Sequence, residues 1–164
     1  MVRAIYAGSF DPLTNGHLFV INVGLKLFGP DGLIVAIGEN PAKQYTFSLR
    51  SRLKMIRSVF PNVSTGSYEN RYLVDYAAEI GADFILRGIR NQSDYESETA
   101  FANINTEISK SEIYTIFVPT PKHLTEMSSS FVKAMVGPHN WKDRVKDLVP
   151  PVVFDELVKW HEST

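Results

Sequence analysis

Ala4-Ile5-Tyr6-Ala7-Gly8-Ser9-Phe10-Asp11-Pro12-Leu13-Thr14-Asn15-Gly16-His17 is the stretch that decides the architecture. Residues 4–7 form a brief apolar run, and Gly8 to Pro12 is a turn cluster. Thr14 or Asn15 can then cap a helix. From Asn15 to Phe28, apolar residues at Leu18, Ile21, Val23, Leu25 and Phe28 keep a mostly helical spacing. Gly29-Pro30-Asp31-Gly32 breaks it, because proline lacks an amide proton and glycine ends helices cheaply. The reading is strand, turn, helix.

The alternation continues outward from there. Leu33–Ile37 is an uninterrupted apolar run, as expected of a strand covered on both faces. Ser48 caps a helix carrying Leu49, Leu53, Ile56 and Phe60, and Val63 marks a weak short strand. Asn70–Ile80 reads helical until Gly81, and Phe84-Ile85-Leu86 is a buried strand ending in Arg87-Gly88. Ser93 to Ser109 predicts a long helix, on which Phe101, Ile104 and Ile108 are read as core rather than subunit interface. Ile113–Val118 is a strand closed by Pro119 and Pro121, Ser128 caps a short helix, and Val152–Trp160 forms the last one. Gly137–Pro151 is read only as a connection. This order predicts an α/β, Rossmann-like, doubly wound sheet of five parallel strands with helices on both faces. Ligands of such sheets bind beyond the carboxyl ends of the strands.

Length and composition agree. A chain of 164 residues and 18.5 kDa suits one domain, residues 1–164, with a C-terminal helical segment from about 138 packed on it. Such a domain buries roughly 70% of its unfolded surface and needs no staples. Its 44% hydrophobic content excludes a disordered chain. Seventeen basic against 18 acidic residues exclude the footprint of a non-specific nucleic-acid binder. The absence of cysteine excludes disulfides, thiolate metal sites and cysteine nucleophiles. There is no signal-peptide layout, and no apolar run approaches the ~20 residues of a membrane span. The expectation is a cytoplasmic protein that binds neither nucleic acid nor membrane.

Four of the five strands end in polar clusters that a core does not require. Gly8 allows a tight turn, Gly16 removes a side chain from the first helical turn, and His17 lies near the positive end of the helix dipole. Lys43 sits on the loop after the second strand, and Arg87 and Arg90 stand around Gly88 at the end of the fourth. Ser128-Ser129-Ser130 opens another helix. Each has a bland reading: a capping histidine, a solvated lysine, arginines paired with Asp94 or Glu96, a serine N-cap. Their common position at one end of the sheet points instead to a crevice for a polyphosphate.

Ser9-Phe10-Asp11-Pro12 with Thr14-Asn15-Gly16-His17, and Met127-Ser128-Ser129-Ser130-Phe131-Val132-Lys133, resemble the two signatures of nucleotidyltransferases related to class I aminoacyl-tRNA synthetases. Pro41-x-Lys43, Leu73-Val74-Asp75-Tyr76-Ala77, Arg87-Gly88-Ile89-Arg90 and Asp94-Tyr95-Glu96-x-Glu98 fall in the order and spacing of the phosphopantetheine adenylyltransferase family. The likeness runs from Arg3 to about Lys159. It implies transfer of AMP from ATP to 4′-phosphopantetheine, giving dephospho-coenzyme A and pyrophosphate, with Mg²⁺ bridged mainly by phosphates and water. It also implies ATP contacts from Ser9, Phe10, His17, Gly88, Ile89, Arg90, Glu98, Leu124, Thr125, Glu126, Met127, Ser128, Ser129 and Ser130. Ser9, Lys43, Leu73 and Arg87 would hold the phosphopantetheine, and His17, Lys43 and Arg90 would be catalytic, His17 by stabilising the transition state. A homohexamer and feedback binding of coenzyme A come with the same likeness.

The chain departs from that pattern in Ser9 for threonine, Met127 for isoleucine, Tyr72, Asn103, and a loop at 120–126 without the frequent tryptophan. Rival readings are a nicotinate-mononucleotide adenylyltransferase, a cytidylyltransferase, or a non-catalytic nucleotide-binding domain. Thr14, where the first two usually carry histidine, favours phosphopantetheine. A sensor would not need His17, Lys43 and Arg90 together.

Overall fold

The structure, a computed structural model, describes residues 1–109 and 112–163; Lys110, Ser111 and Thr164 lie outside the described residues. Strands β1 (Ala4–Gly8), β2 (Leu33–Glu39), β3 (Ser64–Glu69), β4 (Phe84–Ile89) and β5 (Tyr114–Pro119) form one parallel sheet in the order β3-β2-β1-β4-β5. Between and after them run α1 (Asn15–Gly32), α2 (Leu49–Val59), α3 (Leu73–Glu79), α4 (Gln92–Ile108), α5 (Ser129–Ala134), α6 (Trp141–Val145) and α7 (Pro151–Glu162). The chain builds outward from β1 to β3, then returns to the other side of β1 for β4 and β5. The order therefore reverses between β1 and β4, where such sheets open a crevice.

Alternation along β1 distributes the core. Ala4 and Tyr6 belong to the larger buried cluster on one face, Ile5 and Ala7 to the smaller one on the other. The larger cluster also holds Trp141, Val145, Val149, Val153 and Leu157, so the C-terminal segment is packed into the same core as β1.

Four expectations need correction. The weak strand at Val63 lies instead at Ser64–Glu69, which carries no apolar run because it is the edge strand, with only β2 beside it. The third helix starts at Leu73, not Asn70, because Asn70 takes a left-handed φ of 52° and turns the chain first. Gly137–Pro151 is more than a connection: it contains α6, whose Trp141 and Val145, one helical turn apart, are buried. Phe101, Ile104 and Ile108 are not core but exposed, and α4 buries no residue within the chain. The break after Phe28 falls where expected, at Gly29 with a φ of 71°. No described helix is long and apolar enough to cross a membrane.

Candidate active site

At the carboxyl ends of β1 and β4 lies a cavity of about 220 Å³. Gly8, Gly16, His17, Arg87, Gly88, Arg90, Asp94, Glu98, Thr120, Met127, Ser128 and Ser129 line it, with Tyr6 and Val20 at its base. The first turn of α1 and the serine turn before α5 thus face one space. Two bonds hold them together. Thr14 Oγ1 donates to the Met127 carbonyl at 3.0 Å across 113 residues of chain, and Ser129 Oγ donates to the Pro12 carbonyl at 2.8 Å. Gly16 serves this closure directly: a Cβ there would stand 3.1 Å from the Met127 carbonyl. Its missing side chain admits the backbone of the second turn rather than simply leaving room for a ligand.

His17 has two jobs. Its Nδ1 accepts the Thr14 backbone N–H at 3.0 Å, the reciprocal half of a capping box. A neutral imidazole that accepts through Nδ1 carries its proton on Nε2. Burial, helped by the nearby Arg90 cation, lowers its pKa to about 4. The ring, edge-on to Phe10 with centroids 5.1 Å apart, is therefore a neutral Nε2–H donor at pH 7.

The arginines come with partners. Arg90 Nε and Nη2 donate to Asp94 at 2.7 and 3.0 Å, as one of the bland readings had it. Arg87 pairs with Glu98 rather than Asp94 or Glu96: its Nε donates at 2.6 Å, Nη2 makes a second bond, and Nη1 reaches the Ala7 carbonyl at 2.8 Å. Burial opposes the Arg87 charge, but the bonds and charge of Glu98 outweigh it and hold its pKa above the ordinary value. Of the five donors on a guanidinium, Arg87 retains two and Arg90 three for a ligand.

A second cavity, about 820 Å³, shares Ala7, Gly8, Arg87 and Glu98 with the first. Glu39 lines it from the end of β2, and Ser9, Asn40, Pro41, Lys43 and Tyr45 from the loops after β1 and β2. Tyr68, Arg71, Tyr72 and Leu73 line it from β3 and the start of α3, and Phe101, Ala102 and Asn105 from α4. The Arg87–Glu98 pair is the wall between a small polyphosphate-sized cavity and a large, aromatic-edged one.

The structure thus brings Ser9, Lys43 and Leu73 to the large cavity and His17, Gly88, Arg90, Met127, Ser128 and Ser129 to the small one, with Arg87 and Glu98 on both. Phe10, Ile89, Leu124, Thr125, Glu126 and Ser130 line neither. Phe10 is fully buried against Tyr6 and His17. Ser128 caps α5 by accepting the Phe131 N–H at 3.0 Å, so its capping reading is realised beside the cavity. Sequence reasoning passed over Tyr45, Tyr68 and Arg52. The tyrosines carry a positional signal, since each follows the carboxyl end of a strand or closes one. Arg52 carries none, being one of several basic residues on an amphipathic helix.

Residues 5–135 match the family model described as Cytidylyltransferase-like. The protein named phosphopantetheine adenylyltransferase of Neisseria meningitidis serogroup C is 45% identical over 163 residues, covering 98% of this chain and 94% of that one. That of Chromobacterium violaceum is 42% identical over 99% of both chains. Among solved structures, Plasmodium falciparum nicotinic acid mononucleotide adenylyltransferase complexed with NaAD superposes with a TM-score of 0.62 at 14% identity, covering 98% of this chain and 97% of that one. Thermotoga maritima TmcAL bound with alpha-thio ATP does so at 0.64 and 12% identity, covering 99% and 56%. These structural likenesses establish the fold. With identity above 40% along almost its whole length, the chain belongs to the phosphopantetheine adenylyltransferase family.

Proposed function

We propose that the chain transfers AMP from ATP to 4′-phosphopantetheine, giving dephospho-coenzyme A and pyrophosphate. One observation carries this reading beyond family membership: a small cation-lined cavity and a large one meet at Arg87 and Glu98. A triphosphate in the first and a phosphorylated acceptor entering through the second would have their reacting atoms at the same wall.

The reaction needs no protein nucleophile or general base. A phosphomonoester has a second pKa near 6, so the acceptor is largely a dianion at neutral pH. Its oxygen forms a bond to the α-phosphorus while the bond to the bridging α–β oxygen breaks, and pyrophosphate takes the electron pair. What remains for the protein is alignment of two anions and stabilisation of charge on the α-phosphate. Lys43 and the two free donors of Arg87 would counter the repulsion between acceptor and ATP. The His17 Nε2–H would face the α-phosphate oxygens, and the free donors of Arg90 with the turn at Ser128–Ser129 would hold the β- and γ-phosphates. Because His17 is neutral, its contribution is a directed hydrogen bond rather than a charge.

Mg²⁺ belongs to the proposal as an ion carried on the phosphates. Asp94 and Glu98, the two carboxylates of the small cavity, are engaged by arginines, and no three metal-ligating side chains converge among the described residues. That donor set fits a hydrated ion held by triphosphate oxygens, where it would neutralise phosphate charge. A cytoplasmic location, a homohexamer and feedback binding of coenzyme A belong to the same reading, each by family resemblance.

The test is pyrophosphate release by the purified chain with ATP and a panel of acceptors. Turnover with 4′-phosphopantetheine at least ~100-fold above that with nicotinate mononucleotide or phosphorylated polyols is expected. Comparable rates across the panel, or none with phosphopantetheine, would overturn the assignment.

A further inference from the structure

We infer that Arg52, which touches neither cavity, is a positioning residue for the acceptor side of the reaction; this rests on the reading of the large cavity as the acceptor site. Arg52 stands in the first turn of α2 and is only 1% exposed. Its three guanidinium nitrogens go to three separate segments. Nε donates to the Phe47 carbonyl at 2.9 Å, Nη1 donates to the Ser9 carbonyl at 2.9 Å, and Nη2 is paired with the Glu39 carboxylate. The Tyr45 ring covers the guanidinium face, 4.2 Å from its central carbon.

Ser9, Glu39 and Tyr45 all line the large cavity, and Lys43 lies on the loop strung between Glu39 and Tyr45. Arg52, fully buried, binds both ends of that loop and also the loop after β1. An apolar side chain of similar volume would fill the slot without the cost of desolvating a charge. What arginine adds is a planar fork with bonds in fixed directions. Here those directions set the Ser9 peptide and the Lys43 loop relative to each other. A second consequence concerns charge. Glu39 faces a cavity that would receive an anion, and its pairing with Arg52 cancels a carboxylate that would otherwise repel it.

Ser9 and Glu39 line the large cavity and not the small one, which His17, Arg90 and the serine turn line. Loss of Arg52 should therefore weaken the acceptor and leave ATP alone. The experiment compares wild type, Arg52→Met and Arg52→Lys in the full chain. It measures KM and kcat for 4′-phosphopantetheine, Kd for a non-hydrolysable ATP analogue by calorimetry, and the thermal midpoint of each variant. Arg52→Met is expected to raise the acceptor KM at least ~10-fold with the analogue Kd within about twofold of wild type. Arg52→Lys, which keeps a cation near Glu39 but not three directed bonds, should fall between. If Arg52→Met does not fold, Arg52→Lys alone decides by the same split between the two ligands. A lower midpoint with both ligand constants unchanged would make Arg52 purely structural, and equal losses for both ligands would equally overturn the proposal. A wild-type enzyme that does not turn over phosphopantetheine would instead indict the acceptor reading, and it is measured first.

Discussion

At the scale of single residues, His17 holds a place in both the helix cap and the cavity wall. Nδ1 closes the capping box with Thr14, which leaves Nε2–H for the cavity. The sequence made the cap and the anion site visible as rival readings; the cap is present, and under the proposed function the other face of the same ring serves the anion. Glutamine at this position of a capping box can make the same backward bond, so His17→Gln separates the roles. His17→Ala is expected to lose the backward bond to the Thr14 N–H, about 1 kcal/mol, lowering the thermal midpoint by about 2–4 °C for a chain of this size. His17→Gln should keep the wild-type midpoint. Both should lose ~10²-fold or more in kcat with KM for either substrate nearly unchanged, the pattern of a contact made only in the transition state. The ionisation supplies a further sign. Folding favours the neutral ring, so His17 supports stability fully above the unfolded value of about 6.5 and loses that support as pH falls toward 4. An NMR titration of the ring should find its midpoint about 4, and kcat should show no inflection near pH 6.5 that His17→Gln abolishes.

At the scale of elements, legibility followed burial. β1, β2 and β4 announce themselves as apolar runs because both their faces are covered, and α1 and α4 are long enough for their period to show. β3 is half-exposed and polar, and only its hydrogen bonds to β2 make it a strand. α6 has five residues, too few for a period to be seen between Pro138 and Pro150. The polar ends of the strands were readable in the same way, since a lysine or arginine at a carboxyl end needs a reason to be there. The supports behind them were not readable, because each depends on contacts between distant segments. Asp11 is the clearest example. Its buried carboxylate accepts the Thr46 and Phe47 N–H groups at 2.9 Å each and the Lys133 ammonium at 2.9 Å. One side chain therefore ties the loop after β1 to the approach of α2 and to α5. Lys133→Met should leave a buried carboxylate with backbone partners only. Given the partial exposure of Lys133, the expected cost is about 1–2 kcal/mol, read as a lower urea midpoint with unchanged m-value.

For the whole molecule, α4 is the element a lone chain does not account for. It runs 17 residues with none buried, and Phe101, Ile104 and Ile108 are 60%, 48% and 41% exposed. Their spacing made them look like core, because periodicity reveals an apolar stripe without revealing what covers it. Within one chain the sheet is already covered on that side near β4 and β1 by α3 and its neighbours. The stripe is left for something else. Covering a large apolar side chain completely is worth up to about 1.5–3 kcal/mol. In a symmetric contact each counts twice, which is the scale needed to offset lost translational and rotational freedom. The expected partner is a second copy, consistent with the homo-oligomer proposed above. Light scattering should give a mass that is a multiple of 18.5 kDa, sixfold if the family resemblance holds in full. Ile104→Lys and Ile108→Lys should reduce that mass without lowering the helical content seen by circular dichroism. Phe101 also lines the large cavity, so a copy docked on α4 would stiffen one wall of the acceptor site. Dissociation by either lysine variant should therefore raise the acceptor KM while ATP binding stays put. A wild-type chain that elutes and scatters as 18.5 kDa at working concentration would show that the stripe is left uncovered.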